Sequence, residues 1–461
     1  MKLDFTVKQN NRKLILIFAG WGMSPAPFSN IRLAGHDIAV IWDYRDTALD
    51  IKALSGYTDI YLFAWSFGVY MASQVLASTG LTPTVKVAVN GTLRPIDDTE
   101  GIPSQIFRGT LENLSERNLD KFYRRMCKNA ESFASFSANR PDRDIEGLKE
   151  ELIAIENAYS HDDPGSHAAA DWDRAVIAGN DRIFPPGNQR RAWRTLQRTR
   201  IIEDGAHLPD WQTLIEQEII DKSLVAQKFA RSAATYDDNA DVQRHIAEKL
   251  WLLWQKASPT PPLSILEAGY GTGMLTRLYM SKWHPYRVSL WDLAPVEIEL
   301  PEAGEIIAGD AEELIRLIPE GYYEAIASAS AMQWFDSPER WLHNAAQALT
   351  ARGIIAVSTF GPDNMHEIAK ITGMPLRYYS VEELAAMTPA GCRIISVEEE
   401  YITKEFDSPR EVMHHLKLTG VNAMRNTPTD IRRLISDYPM TGGKACLTYH
   451  PIYLIIQKEE K

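Results

Sequence analysis

The sequence predicts a two-domain α/β protein, with a doubly wound, largely parallel sheet in each half. Three observations lead to this prediction. The chain has 461 residues, too many for one ordinary core and suited to two domains of about 200 to 250 residues each. Short apolar runs alternate with helical periods in both halves, as βαβ units require. In each half, one strand runs directly into a glycine-containing turn and then a helix, at 64–68 and at 267–273.

Composition and charge are typical of a cytoplasmic globular protein and limit its partners. The hydrophobic share of 45% and the charged share of 24% are those of soluble domains. Apolar stretches such as Leu14–Phe18 fall far short of the roughly 20 residues that span a membrane. The N-terminus, MKLDFTVKQNNRK, lacks the apolar core and cleavage site of a secretory signal. The net charge of −12 argues against nucleic acid as a partner.

Cysteine and histidine placement argues against disulfides and metal ions. Cys127, Cys392 and Cys446 are odd in number and far apart, as in a reduced cytoplasmic protein. His414 and His415 are adjacent and would point away from each other on a helix. The sequence also lacks the HExxH and CxxC patterns. We therefore expect no metal site.

The first predicted domain comprises residues 1–222. Apolar runs rich in β-branched and aromatic residues predict its parallel strands, at Leu14–Phe18, Ile38–Ile41, Ile60–Ala64, Val85–Val89, Ala175–Ala178 and an edge strand at Arg200–Ile202. The alternation stops between about 103 and 165, where helical, charged and aromatic sequence predicts an inserted lid. Trp211–Ile220 predicts a closing helix.

The second predicted domain comprises residues 223–461 and repeats the alternation from a fresh start. Two amphipathic helices, Ser223–Tyr236 and Ala240–Gln255, precede a helix-breaking loop, SPTPP, at 258–262. Strands are then predicted at Ser264–Leu266, Arg287–Trp291, Glu305–Ala308, Ala325–Ser328 and Gly353–Thr359.

Ser66 stands where a nucleophilic serine of an α/β hydrolase is expected. A strand runs into AWSFG at 64–68 and then into the predicted helix Val69–Ala77, the strand-turn-helix context of a nucleophile elbow. Ala64 replaces the first glycine of the usual G-x-S-x-G pattern, and its side chain is small enough to preserve close packing. Taken alone, S-x-G is more often an ordinary turn.

Asp181 and His207 complete the chain order of a hydrolase triad. Each follows a predicted strand, and Ser, Asp and His occur in the order found in α/β hydrolases. The ordinary alternatives are a turn former for Asp181 and a helix N-terminal residue for His207. The backbone amides of Phe67 and of Trp21, in GWGM at 20–23, are candidates for an oxyanion hole, and an ordinary turn is the alternative for GWGM. The first domain is therefore predicted to have an α/β-hydrolase fold with a helical lid.

Residues 10–220 resemble the pimeloyl-ACP methyl ester esterases of biotin synthesis. The resemblance rests on GWGM, AWSFG, NGTLRPIDDTEGIP (90–103) and LSERNLDKFYRRMC (114–127). It implies cleavage of the methyl ester of a pimeloyl chain held on acyl carrier protein. Lys121, Arg125 and Lys128 would share one helix face with Arg124 beside them, which suits an acidic carrier protein. A merely solvated face is the alternative.

The second glycine turn predicts a site for S-adenosylmethionine. A strand runs into EAGYGTG at 267–273, and glycines there let the backbone approach a ligand. The spacing of Gly269, Gly271 and Gly273 after an acid differs from the G-x-G-x-x-G of nicotinamide cofactors, which remain the alternative for such a motif. Glu267 is the candidate partner of the methionine ammonium group.

Acids at the next strand ends fit the rest of that cofactor. Asp292 is expected to accept the ribose hydroxyls, and Asp310 the adenine amino group, with the Ala311 amide nearby. Each acid alone is often only a helix cap or turn residue. The residues at 328–334 would face the methyl group and the acceptor. Together these features predict a Rossmann-like class I S-adenosylmethionine-dependent methyltransferase.

Residues 225–461 resemble malonyl-ACP O-methyltransferases. The resemblance rests on FARSAATYDDNADVQ (229–243), ASAMQWF (329–335) and HLKLTGVNA (415–423). It implies methylation of malonyl carried on acyl carrier protein at the start of pimelate assembly. Tyr270 departs from the small residue common between the glycines, and its ring is expected to pack over the cofactor. Tyr236 is the candidate for acceptor binding, with a plain packing role as the alternative.

The sequence therefore predicts a bifunctional enzyme that adds a methyl group in its second half and removes one in its first half. Two other interpretations remain at this point. One is a generic carboxylesterase joined to a small-molecule methyltransferase. The other is a scaffold that docks the carrier protein through an inactive hydrolase half.

Overall fold

The computed structural model describes residues 1–161, 172–196, 198–372, 378–419 and 428–460. It divides into two compact units, Met1–Ile219 and Ile220–Lys461. The end of the predicted lid, 162–165, and part of one resemblance motif, 420–423, lie outside the described residues. Each unit is described by itself below.

The first unit is built on a seven-stranded sheet in the order β1-β3-β2-β4-β5-β6-β7. Its strands are β1 (Lys2–Val7), β2 (Lys13–Phe18), β3 (His36–Trp42), β4 (Asp59–Trp65), β5 (Val85–Val89), β6 (Arg174–Ala178) and β7 (Thr199–Ile202). All neighbouring pairs are parallel except β1 with β3. The six predicted strands are confirmed, and β1 is an additional antiparallel edge strand.

Helices follow the strands of the first unit, as parallel connections require. They are α1 (Phe67–Thr79), α2 (Ser104–Glu112), α3 (Glu116–Met126), α4 (Ala130–Ala138), α5 (Ile145–Ser160), α6 (Pro186–Ala192) and α7 (Trp211–Glu218). Helices α2 to α5 are inserted between β5 and β6. Helix α3 ends at Met126, so the prediction that Lys128 shares its basic face was wrong.

The core of the first unit lies around β2, in the middle of the sheet. Leu14–Phe18 are fully buried, because helices cover both faces of the parallel strands. Strand β2 pairs with β3 on one side and with β4 on the other. The chain order reverses here, and such a switch point opens a crevice at the carboxyl ends of the strands.

The second unit has its own seven-stranded sheet, in the order β10-β9-β8-β11-β12-β17-β13, and a small sheet, β14-β16-β15. The large sheet comprises β8 (Ser264–Ala268), β9 (Arg287–Asp292), β10 (Ala303–Ala308), β11 (Tyr323–Ala329), β12 (Leu349–Phe360), β13 (Cys392–Glu399) and β17 (Pro451–Lys458). The small sheet comprises β14 (Ile402–Phe406), β15 (Met440–Thr441) and β16 (Lys444–Tyr449). Strands β8 to β12 are parallel, whereas β17 and β13 are antiparallel additions.

Nine helices of the described residues accompany these sheets. They are α8 (Lys222–Asn239), α9 (Asp241–Ala257), α10 (Met274–Met280), α11 (Ala311–Leu314), α12 (Pro338–Ala348), α13 (His366–Thr372), α14 (Val381–Ala386), α15 (Pro409–Leu418) and α16 (Pro428–Asp437). The two amphipathic helices predicted before the glycine turn correspond to α8 and α9. The helix predicted after the turn is confirmed as α10.

The core of the second unit has two layers, one on each face of the large sheet. Ile265 and Ala325 pack on one face, and their chain neighbours Leu266 and Ile326 pack on the other. This alternation follows from the two-residue period of a strand. Both faces are apolar, as a doubly wound sheet requires.

No helix within the described ranges has the length and apolar character needed to cross a membrane. The same ranges contain no group of three or more His, Cys, Asp or Glu side chains that could hold a metal ion.

A methyl group at Gly68 would collide with the central strand of the first unit. An alanine Cβ there would lie 2.4 Å from the Phe18 carbonyl oxygen. We expect Gly68→Ala to lower the free energy of unfolding of this unit by about 1–3 kcal/mol. Gly56→Ala is the control, because Gly56 is exposed and has no neighbour within 4 Å of a Cβ. Hydrogen exchange of peptides from 1–161 measures the effect, and equal protection in both variants would contradict it.

Candidate active sites

Ser66 lies on a strained turn at the carboxyl end of the first sheet. Strand β4 ends at Trp65 and α1 begins at Phe67. Ser66 between them has φ 61° and ψ −128°, a conformation that is uncommon for a residue with a side chain and costs about 1–3 kcal/mol. A Cβ on Gly91 would lie 2.3 Å from the Ser66 carbonyl oxygen. Neighbouring backbone therefore encloses the turn tightly.

Ser66, His207 and Asp181 form one hydrogen-bonded chain. The Nε2 atom of His207 lies 3.1 Å from the Ser66 hydroxyl oxygen. Its Nδ1 atom lies 2.8 Å from Oδ2 of Asp181. All three side chains are buried. In this geometry an imidazole can take the proton of a serine hydroxyl while a carboxylate orients the ring and stabilises its charged form.

Backbone and amide donors hold the Asp181 carboxylate in place. Oδ1 accepts hydrogen bonds from the amides of Ile183 at 2.8 Å and Phe184 at 2.9 Å. Oδ2, which faces His207, also accepts one from Nε2 of Gln189 at 3.0 Å. Gln189 is fully buried on α6. It was not predicted, because no sequence pattern links a helical glutamine to a carboxylate eight residues earlier.

The backbone of His207 is fixed by two side chains that the sequence did not single out. Its carbonyl oxygen accepts Nε1 of Trp65 at 2.8 Å and Nδ2 of Asn90 at 2.9 Å. The Phe184 ring stacks parallel to the imidazole, at an interplanar angle of 5°. Asn90 follows β5 directly, so its place at a strand end was the signal that could have identified it.

The two predicted oxyanion donors lie beside Ser66. A Cβ on Gly20 would lie 3.2 Å from Ser66 Cβ, so the loop at 20–23 packs against the serine. Neither the Trp21 nor the Phe67 amide donates a hydrogen bond to any acceptor in the described parts of the chain. Both residues line a cavity of about 400 Å³, solvent-open part included, together with Ile106, Phe107, Phe122, Arg125, Leu152 and Arg182. A mostly apolar pocket therefore borders the two residues whose amides are the candidate oxyanion donors.

The predicted basic stripe is shorter than expected. Arg124 pairs with Asp120 at 3.0 Å. Lys128 lies beyond the end of α3 and pairs with Asp204 at 2.5 Å. These two cations are therefore partly neutralised within the protein.

Lys121 and Arg125 remain as cations of α3 with no carboxylate partner among the described residues. Lys121 contacts only the side-chain oxygen of Asn118, at 3.4 Å. Arg125 lines the cavity beside Trp21 and Phe67. One positive side chain thus stands at the cavity and the other on the exposed helix surface.

In the second unit, the glycine turn forms a cradle after β8. Gly269, Gly271 and Gly273 have φ values of 69°, 56° and 83°, which side chains rarely permit. A Cβ on Gly269 would lie 2.3 Å from the Cβ of Ala331. A Cβ on Gly271 would instead meet no atom within 4 Å, since Gly271 borders open space. The turn therefore exposes backbone to a ligand without intervening side chains.

The cradle opens into a large cavity. This cavity has about 1070 Å³ of atom-free space, including its solvent-open part. Its lining includes the glycine turn, the ends of three strands and the inner face of α8, represented by Glu267, Gly269, Gly271, Tyr236, Asp292, Asp310 and Ala311. A ligand with separate polar groups along its length fits this arrangement.

Glu267 is buried at the start of the cradle. Its Oε2 accepts the hydroxyl of Thr276 at 2.7 Å. Burial raises the pKa of Glu267 to about 7, although hydrogen bonds from Thr276 and Tyr279 oppose the shift. A carboxyl group in this state gains most from a cationic partner such as an ammonium group.

Asp292 supports the cradle as well as facing the pocket. Oδ2 accepts the Gly271 amide at 2.9 Å, and Oδ1 accepts the Ala294 amide at 2.8 Å. Burial raises its pKa, and these backbone hydrogen bonds oppose the rise. Each oxygen has a further lone pair, so the carboxylate can also accept hydroxyl groups of a ligand.

Asp310 is held by a buried lysine that the sequence did not reveal. Its Oδ1 accepts Nζ of Lys222 at 3.1 Å and the Glu312 amide at 3.0 Å. Lys222 also contacts Glu312 Oε2 at 2.7 Å. Burial would lower the pKa of Lys222, but the carboxylates of Glu312, Asp310 and Asp336 outweigh it and raise the pKa. Ala311 follows directly and is buried in the pocket wall.

A second cavity shares Tyr236 with the larger pocket and contains polar atoms without partners. Gln243 Oε1, Ser330 Oγ and Trp334 Nε1 are buried and have no hydrogen-bond partner among the described residues. Tyr236 is half-buried beside them, and its ring packs edge-on against Phe229. Unused donors and acceptors of this kind are expected where a polar ligand binds.

Tyr270 is anchored in the pocket wall. Its hydroxyl donates to the Val296 carbonyl oxygen at 2.5 Å and accepts the Val296 amide at 2.7 Å. The ring thereby ties the glycine turn to the segment after β9. This double contact accounts for a bulky residue between the glycines.

Comparison with known proteins agrees with this division of the chain. Residues 1–214 match the family of pimeloyl-ACP methyl esterase BioG, and residues 266–357 match a methyltransferase domain. The malonyl-[acyl-carrier protein] O-methyltransferase of Bacteroides fragilis is 39% identical over 97% of this chain and 93% of its own length. The protein of the same name from Bacteroides thetaiotaomicron is 35% identical over 52% of this chain and 100% of its own.

One solved structure corresponds to the first half. The BioG protein in a crystal structure from Haemophilus influenzae is 36% identical in sequence to the matched part of this chain. The match has a TM-score of 0.41 and covers 45% of this chain and 94% of the BioG chain.

The fold, the cradle and the family matches define the class. The second unit is a Rossmann-like methyltransferase whose cofactor is S-adenosylmethionine, and it is preceded by a BioG-type domain. The chain belongs to the malonyl-[acyl-carrier protein] O-methyltransferase family, in a form that fuses the two domains. The glycine cradle and the buried acid Glu267 fit parts of this cofactor. The acids Asp292 and Asp310, at the ends of the next two strands, fit its remaining polar groups.

The raised pKa of Glu267 predicts pH-dependent cofactor binding. Below about pH 7 the carboxyl holds a proton, which must leave before the group can pair with the cofactor's ammonium group. Affinity for S-adenosylmethionine should therefore rise as the pH increases from about 6 to 8, with proton release on binding. Calorimetry in buffers of different ionisation enthalpy measures both quantities. Glu267→Gln should remove the proton release, whereas the exposed-site control Glu297→Gln should keep it; release that survives in Glu267→Gln would disprove this assignment.

Proposed function

We propose that this protein is a bifunctional enzyme of biotin synthesis. Its second domain, residues 223–461, transfers a methyl group from S-adenosylmethionine to the free carboxylate of malonyl-ACP. Its first domain, residues 1–222, hydrolyses the methyl ester of pimeloyl-ACP. The relationship to malonyl-[acyl-carrier protein] O-methyltransferases over nearly the whole chain supports the first activity. The Ser66–His207–Asp181 chain, with contacts of 3.1 and 2.8 Å, carries the second.

Methyl transfer in this proposal depends on positioning. A malonyl carboxylate is already ionised near neutral pH, so no general base is needed. The cofactor supplies the activated methyl group. Tyr236, Ser330 and Trp334 would orient the carboxylate through their unused polar groups, and the apolar walls of the pocket would exclude water. Holding the reacting atoms in line supplies most of the rate.

Ester hydrolysis follows the roles that the geometry allows. Ser66 attacks the ester carbonyl while His207 takes its proton, and Asp181 stabilises the imidazolium. The amides of Trp21 and Phe67 stabilise the oxyanion. His207 then returns the proton to the departing methoxide, and methanol leaves. Water then attacks the acyl-serine while His207 takes a proton from it. His207 gives that proton to the Ser66 oxygen, and the free acid of pimeloyl-ACP is released.

The inserted helices act as a lid in this proposal, over about 103–165. They bring Ile106, Phe107 and Phe122 to the cavity wall beside Trp21. This apolar lining suits the methylene chain of a pimeloyl ester. Lys121 and Arg125 would meet the acidic carrier protein that holds the chain.

Labelled methyl transfer tests the methyltransferase activity and its acceptor. The purified chain is incubated with S-adenosylmethionine labelled in its methyl group and with malonyl-ACP, free malonate or malonyl-CoA. We expect label to enter malonyl-ACP far faster than the other two. Equal labelling of free malonate would favour a generic methyltransferase instead.

Replacing Ser66 tests the hydrolase. Ser66→Ala removes the nucleophile, so methanol release from pimeloyl-ACP methyl ester should fall by about 10⁴-fold or more. Methylation of malonyl-ACP by the same preparation should remain unchanged, which controls for chain concentration. Ester cleavage that survives in this variant would exclude the proposed role of Ser66.

Charge reversal at Lys121 tests carrier docking. Lys121→Glu should raise the KM for pimeloyl-ACP methyl ester by about 10-fold at low salt, because it places like charge against an acidic partner. Hydrolysis of a small ester that lacks the carrier should be unaffected. Lys149→Glu, at an exposed site on α5, is the matched control. The same KM in both variants would remove Lys121 from the docking surface.

A further inference from the structure

Glu151 is a fully buried carboxylate that the proposed hydrolytic steps do not use. It lies on α5, within the inserted helices, and has no exposed surface. Oε1 accepts the Tyr44 amide at 3.0 Å, and Oε2 accepts the Gly22 amide at 3.3 Å. Oε2 also pairs with Nη2 of Arg143 at 3.1 Å. Burying a charged carboxylate costs free energy unless hydrogen bonds and an opposite charge satisfy it. The groups that contact Glu151 therefore indicate its role.

The Gly22 amide belongs to the loop that packs against Ser66. Other residues of the inserted segment hold the same loop from several directions. The Tyr123 hydroxyl donates to the Gly22 carbonyl oxygen at 3.2 Å, and the Trp21 indole donates to the Leu148 carbonyl oxygen at 2.9 Å. Arg143, the ion-pair partner of Glu151, also donates to the Met23 carbonyl oxygen at 3.0 Å.

These contacts restrain the loop that carries the Trp21 amide. Gly20, on one side of Trp21, approaches Ser66 so closely that a Cβ there would lie 3.2 Å from Ser66 Cβ. Gly22, on the other side, has φ 75°, and its amide is held by Glu151. The peptide between these two anchors carries the Trp21 N–H. An oxyanion donor must be aimed at the position the charge will occupy, and small displacements are costly.

We propose that Glu151 is a positioning residue for ester hydrolysis, which holds the loop at 20–23 so that the Trp21 amide faces the developing oxyanion. The inserted helices then hold a loop of the active site in position, in addition to covering the acyl chain. This inference rests on the hydrolase activity proposed above.

Glu151→Gln tests the inference with nearly unchanged side-chain volume. The amide retains one acceptor oxygen, so its NH₂ group faces either the Tyr44 amide or the Gly22 amide and Arg143, which are all donors. We expect kcat for ester hydrolysis to fall by about 10- to 100-fold, with little change in KM. Affinity for a trifluoromethyl ketone, which forms a tetrahedral adduct with Ser66, should fall by a similar factor because the adduct carries the same oxyanion.

Two further variants separate positioning from general stability. Glu151→Asp keeps the charge and both oxygens and should recover part of kcat. Tyr123→Phe removes one hydrogen bond to the loop and should lower kcat in the same direction but less. Glu150→Gln is the matched control, because Glu150 is exposed on the same helix and, within the described ranges, pairs with Arg45 alone, at 3.1 Å. Its kcat and inhibitor affinity should match those of the parent.

The outcomes distinguish this inference from the function on which it rests. An active parent whose kcat and inhibitor affinity are unaffected by Glu151→Gln overturns the inference alone. A higher KM with unchanged kcat in Glu151→Gln also overturns it. So does a lowered Tm in Glu151→Gln combined with an unchanged kcat in Tyr123→Phe. A parent that releases no methanol overturns the hydrolase proposal itself. Methyl transfer by each preparation corrects for chain concentration throughout, and the Tm reports the folding of the first unit.

Discussion

Parallel strand pairing is the constraint on which both candidate sites depend. Parallel strands require crossover helices, so every strand end at one edge of the sheet leads into a loop. Polar residues that are distant in sequence therefore meet at that edge. Ser66, Asp181 and His207 follow β4, β6 and β7, and Asp292 and Asp310 follow β9 and β10. In both units the glycine-containing turn stands beside the position where the strand order reverses.

Buried charges mark the places where this arrangement is held rigid. Glu267 and Glu151 are buried and Lys222 is largely buried, and each is surrounded by specific partners. Replacing such groups by apolar side chains often costs little stability in proteins. Their presence is therefore better explained by orientation than by stability. Lys222 holds one oxygen of Asp310, Glu151 holds the Gly22 amide, and Glu267 is the residue proposed to face the cofactor's ammonium group.

Much of the fold could be predicted because strand ends and glycine turns leave local signals in the sequence. The parallel strands of both sheets were placed within a few residues, and the order of Ser66, Asp181 and His207 suggested their proximity. Gln189 and Lys222 could not be found in this way, since each reaches its partner through tertiary packing. The position of Lys128 was misjudged because the end of a helix depends on local backbone geometry at Cys127. Strands β13 and β14 are partly exposed and of mixed polarity, which left them without a clear signal. Strand β17 is a buried apolar run that was missed although it carries a local signal.

Helix α8 contributes to the wall of the methyltransferase pocket from Lys222 at its start to Tyr236 near its end. Lys222 contacts Asp310, whereas Tyr236 also borders the second cavity. Because one helix supplies both residues, a displacement of that helix would change the surroundings of Asp310 and those of the second cavity together.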